Sequence, residues 1–73
     1  MTNSNSVLLE GVVVSTAKNS FILETSRQEE KCQILVRSKI KVKTGMKMRI
    51  VGYIWNDNGQ FYIQSEHEEF FIH

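Results

Sequence analysis

Apolar residues recur at every second position along most of this chain and almost nowhere at the spacing of a helix face. "VLLEGVVVS", residues 7–15, is rich in β-branched side chains and predicts a long first strand in which Gly11 marks a bulge or bend. The polar turn "TAKNS" separates it from a second strand, "FILET" at 21–25. The charged connection "SRQEEK" then leads to a third, "CQILVR" at 32–37. "KIKVK" sets Ile40 and Val42 on one side and Lys39, Lys41 and Lys43 on the other, and "TG" punctuates the chain before strand four.

In "GMKMRIVGYIW", residues 45–55, Met46, Met48, Ile50 and Ile54 form the inward set, and Gly52 falls where a sharp bend is needed. Lys47, Arg49, Val51, Tyr53 and Trp55 take the outward side. "NDNG" is a strong hairpin signal and opens strand five, "QFYIQS". The end, "EHEEFFIH", reads equally as a helical turn or as an extension of strand five. We assign Phe21 and Phe61 to the core.

With 73 residues the chain makes one small domain, which buries only about 60% of its unfolded surface. We expect a disordered polar start at 1–6 and a single barrel domain over 7–73. Five strands and no room for a crossover helix point to an all-β protein, a small closed antiparallel barrel, since closure removes sheet edges that so short a chain cannot otherwise cover. Hydrophobic residues at 41% and charged residues at 23% fit a chain that folds by itself.

The single cysteine, Cys32, excludes an internal disulfide, and with His67 and His73 it cannot close a tetrahedral zinc site. We expect no metal or other cofactor, and a buried or half-buried thiol at Cys32. The polar start "MTNSNS" does not resemble a signal peptide, and no apolar run approaches the ~20 residues of a membrane span. The expected location is the cytoplasm, without a membrane partner.

The net charge of +1 conceals a strong asymmetry. Between Lys31 and Trp55 stand Lys31, Arg37, Lys39, Lys41, Lys43, Lys47 and Arg49 with no acid among them. The acids lie in the flanks: Glu10, Glu24, Glu29 and Glu30 before, Asp57, Glu66, Glu68 and Glu69 after. A cationic block of this kind is either a solvated face or a surface for a polyanion.

"LLEGVVVSTAKNSFILET" followed by "GMKMRIVGYIWNDNGQFYIQS" resembles the OB-fold nucleic-acid-binding domains, including those of single-stranded-DNA-binding proteins. The resemblance lies in a glycine in strand one, and in Gly45, Met48, Ile50 and Gly52 before the last hairpin. It covers residues 7 to 66. Many such domains carry a helix between strands three and four, whereas here "SKIKVKTG" alone joins them, so the resemblance implies a minimal barrel with one end less well plugged. It also implies a ligand lying across strands two and three, between the loops "STAKNS" and "WNDNG".

Lys18, Arg37, Lys39, Lys41, Lys47 and Arg49 are then the candidate phosphate contacts, and Tyr53, Trp55 and Tyr62 the candidate stacking rings. Each has a plainer role available: Tyr53 and Trp55 as caps on an open barrel end, Tyr62 as half of an aromatic cross-strand pair, the cations as solvated charge.

No nucleophile–base arrangement or phosphate loop has a recognisable signature, and His67 among acids near the end reads as exposed charge, so the expected class is a binding module and not an enzyme. The favoured partner is single-stranded DNA or RNA, with the chain as an accessory subunit of a DNA-replication or DNA-transfer complex. The alternative is a protein-interaction module, docking Leu35, Val51, Tyr53 and Trp55 on a larger protein or forming a homo-oligomer. The terminal "EHEEFFIH" resembles the acidic, apolar-tipped recruiting tail of bacterial single-stranded-DNA-binding proteins. Its other reading is that strand five runs on and Phe70 or Ile72 plugs the barrel end.

Overall fold

A computed structural model describes residues 6–71. Five strands follow one another: β1 (Ser6–Ala17), β2 (Ser20–Arg27), β3 (Glu30–Arg37), β4 (Lys47–Asp57) and β5 (Gln60–Phe70). They close into a barrel in the order β1-β2-β3-β5-β4. All pairings are antiparallel except β3 with β5, which is parallel and brief: Val36 faces Ile63 and Arg37 faces Gln64. Residues 1–5 of the expected polar start, and Ile72 at the end, lie outside the described residues. "SEHEEF" continues β5 as strand, paired residue by residue with β4 as far as Met48 and Phe70.

The alternation places Val13, Phe21, Leu23, Val36, Met48, Ile50 and Ile63 inside, all essentially removed from water. Val7, Leu9, Ile34, Ile40, Val42 and Met46 pack around them. The segment between β3 and β4 has no regular structure, yet its apolar residues do the plugging that a helix would do elsewhere. It is bound to the barrel by the backbone, with the Gly45 N–H donating to the Val13 carbonyl and the Val13 N–H to that of Met46, at 2.8 and 2.9 Å.

A bulge occurs beside Gly52 as expected, whereas the β1 bulge falls at Val14, three residues past Gly11. β1 serves two neighbours, β4 through Ser6–Val12 and β2 through Val12–Ala17, and an unpaired Val14 forms the bulge between Val13 and Ser15. A Cβ at Gly11 would overlap the Glu24 carbonyl, so only glycine allows the strands to approach there. At Gly52 a Cβ would run into the Gln64 carbonyl, beside a second bulge in which β5 carries Glu66 as an extra residue. That extra residue reverses the facing of everything after it in β5.

Three core assignments need correction. Phe61 is 67% exposed and Ile54 is 38% exposed. The β4–β5 hairpin continues past the barrel: β1 pairing stops at Tyr53 and β3 pairing at Ile63, so the inner face beyond has no strand across from it. Cys32 is exposed for the same reason, standing near the free end of the β2–β3 hairpin. Among the described residues no helix is long and apolar enough to cross a membrane.

Candidate nucleic-acid interface

The outer face of β2, β3, β5 and β4 carries two cross-strand pairs of large side chains, one on each side of the β3–β5 seam. Ile22 pairs with Leu35, and Tyr62 pairs directly with Trp55, a residue 53% exposed. The Arg37 guanidinium lies 4.1 Å above the centre of the Tyr62 ring, a cation–π contact that fixes the ring plane. The same guanidinium stands 3.8 Å from the Asp57 carboxylate at the hairpin tip. Tyr53 follows Trp55 on this face of β4, half-buried between Ser6 and Gln64.

Next to these pairs lies a shallow hollow lined by Asn19, Arg37, Ser38, Lys39 and Gln64. Asn19 and Lys39 also line a second hollow, which adds Lys18, Lys41, Ile40 and Val42. Lys18, Lys39 and Lys41 thus border one hollow, Lys39 and Arg37 the adjoining one, and Arg37 reaches Tyr62, which pairs with Trp55; together they form one rim. No acid lines either hollow, and among the described residues Lys18, Lys39 and Lys41 form no ion pair.

The tight β1–β2 turn brings Lys18 there, because Asn19 adopts φ 59° and closes the hairpin in two residues. The opposite hairpin uses Asn58 and Gly59, both at positive φ, with the Asn56 side chain accepting from the Gly59 N–H.

Lys47 and Arg49 do not join this rim. Arg49 stands six residues before Trp55, about 20 Å along β4 at the rise of an extended chain. Its outer face meets β1 and the end of β5. The guanidinium binds the Glu10 carboxylate at 2.7 and 2.8 Å, approaches Glu69 at 3.7 Å and lies over the Phe71 ring. No acid stands near Arg49 along the sequence, and strand pairing brings Glu10 and Glu69 to it from β1 and β5. Lys47 is exposed, beside a hollow that also contains Glu10 and Glu24.

Sequence reasoning also missed an apolar groove, lined by Ile34, Leu35, Ile54, Phe61, Tyr62 and Ile63, where β3 and β5 splay apart beyond their short pairing. Asn19 and Gln64 were missed as well. They are polar residues that join the cationic and aromatic portions of the face, and no local pattern distinguishes them.

No protein-family model matches the sequence, and no curated protein matches it significantly. Two solved structures resemble the fold. The N-terminal domain of the PriB protein from Thermoanaerobacter tencongensis, described as dimeric, superposes with a TM-score of 0.75 at 19% identity, covering 97% of this chain and 100% of that one. Replication Protein A, solved as a heterotrimer bound to ssDNA, gives 0.61 at 12% identity, covering 99% of this chain and 62% of its own. Together with the strand order and the glycine-dependent strand approaches, these likenesses show that the chain is an OB-fold barrel.

Proposed function

We propose that this protein binds single-stranded nucleic acid, DNA in the first place, along the rim that runs from Lys41 through Lys18, Lys39 and Arg37 to Tyr62 and Trp55. One observation carries the reading: among the described residues Lys18, Lys39 and Lys41 form no ion pair, and the rim leads through Arg37 to an exposed indole paired with a second ring. That is the combination single strands require, positive charge for the phosphates and ring faces for the bases. Tyr53 extends the aromatic portion along β4. Lys47 and Arg49 are left out of the contact surface.

Four cations are too few for tight binding by one copy. The chain therefore acts as a soluble cytoplasmic accessory subunit of a replication or DNA-transfer assembly, alongside a larger protein or a second copy of itself. The dimeric state described for the PriB domain and the ssDNA in the Replication Protein A structure support this reading. The exposed groove around Phe61 favours a second reading, a protein-docking module without nucleic acid.

Fluorescence anisotropy with labelled dT and rU oligomers at two salt concentrations separates them. Neutralising about four phosphates gives a slope of log K against log salt near −3. No binding at low salt, or a flat salt dependence, leaves the protein-docking reading in possession.

A further inference from the structure

We infer that Glu68, an acid, is a positioning residue for this cationic rim: through Ser38 it anchors the segment that carries Lys39 and Lys41 and the turn that carries Lys18. The inference rests on the proposed single-strand interface and adds to it a residue of the opposite charge.

Sequence position alone would put Glu68 in solvent, within the acidic run "EHEE". The Glu66 bulge turns it round, so that Glu68 stands opposite Ile50 on the inner side of the β4–β5 ribbon and is partly buried. There one carboxylate oxygen accepts hydrogen bonds from two hydroxyls, Ser38 Oγ at 2.8 Å and Ser65 Oγ. Charge-assisted bonds of this kind are the stronger sort.

Ser38 is 8% exposed, and its contacts spread the anchor. Its Oγ accepts from the Ile40 N–H at 3.1 Å, which holds the backbone between Lys39 and Lys41. Its own N–H donates to the Asn19 carbonyl at 3.1 Å, tying in the turn beside Lys18. Three lysines on two chain segments thus share one hydrogen-bonded post. Residues 38–43 belong to no strand, so little else in the backbone fixes Lys39 and Lys41.

Coulomb's law and the positioning role predict opposite signs. Deleting a negative charge near a polyanion site strengthens binding, by about twofold at most for a group screened at ordinary salt. Loss of the anchor weakens binding, because the lysines must then be ordered by the ligand itself.

The test compares wild type, Glu68→Ala, Glu68→Gln and Ser38→Ala on the full chain, by amide hydrogen exchange and by titration with a labelled dT oligomer. In Glu68→Ala and Ser38→Ala the Ile40 amide exchanges at least about tenfold faster while the core amides of Val36 and Ile50 keep their protection. Affinity falls about three- to tenfold in both, and Glu68→Gln, which keeps an acceptor oxygen, stays within about twofold of wild type. Adding Lys39→Ala to Glu68→Ala costs less affinity than Lys39→Ala does in wild type, since the lysine is already out of place.

Tighter binding by Glu68→Ala, or unchanged Ile40 exchange, overturns the inference. A wild type that binds no oligomer defeats the single-strand interface instead, while Ile40 exchange still decides whether Glu68 holds the segment.

Discussion

Two cationic regions of this barrel have similar composition and opposite electrostatics. At one end of the sheet, Lys18, Lys39, Lys41 and Arg37 converge from the β1–β2 turn, the β3–β4 segment and the end of β3; Asp57 stands beside Arg37 and Glu68 is hydrogen-bonded to Ser38, but among the described residues no acid pairs with a lysine of this group. On the face of β1, β4 and β5, Arg49 is held between Glu10 and Glu69 from the two neighbouring strands. The linear sequence makes Lys47 and Arg49 part of one long basic block. Closing the barrel lays the acidic flanks of the chain alongside β4 and cancels that part of it. A basic run therefore predicts a polyanion site only where strand pairing does not bring acids to it.

The largest effect is expected at the aromatic end of the rim. Trp55→Ala should reduce single-strand affinity by about 1–3 kcal/mol with a nearly unchanged salt slope, because stacking releases no counterions. The indole is half-exposed, so the unfolding midpoint should barely move. An unfolded Trp55→Ala protein would make the ring part of the core and remove the stacking role.

Next comes the double substitution Lys39→Ala and Lys41→Ala. It should lower affinity at low salt and reduce the salt slope by roughly 1.4, about 0.7 for each phosphate no longer neutralised, with thermal stability kept. An unchanged slope would show that these lysines are solvated charge.

The smallest expected effect belongs to the other region and sharpens the contrast. Arg49→Ala should leave affinity within about twofold of wild type. It should lower stability by about 1 kcal/mol or less, the usual worth of exposed ion pairs, or a few degrees in midpoint for a domain of this size. A loss of affinity matching that of the Lys39 and Lys41 pair would erase the distinction between the two regions.

Much of the fold was legible because its signals are local. Period-two alternation located every strand, "NDNG" located the last hairpin, and Gly52 located the β4–β5 bulge, while Gly11 marked a close strand approach and the β1 bulge fell at Val14. "SRQEEK" misled as an open connection. β2 and β3 run through most of it to a two-residue turn in which Gln28 and Glu29 both have positive φ, at 51° and 69°, and neither residue type advertises that conformation.

Phe61 and Ile54 misled for another reason: alternation tells which side of a strand a residue occupies, and not whether the barrel extends far enough to cover it. Trp55 and Tyr62 were legible as a pair because a hairpin fixes its own register. Glu68 was not, since a single extra residue in β5 reverses its side of the sheet, and that residue is visible only in the pairing with β4.

The most direct measurement is a map of amide and indole chemical shifts as a dT oligomer is titrated into the isotope-labelled protein. Changes should concentrate at Asn19, Lys39, Lys41, Gln64 and the Trp55 indole, and leave Glu10, Lys47 and Arg49 in place. Changes centred on the β1–β4 face, or none at saturating oligomer, would contradict the assignment of the nucleic-acid interface.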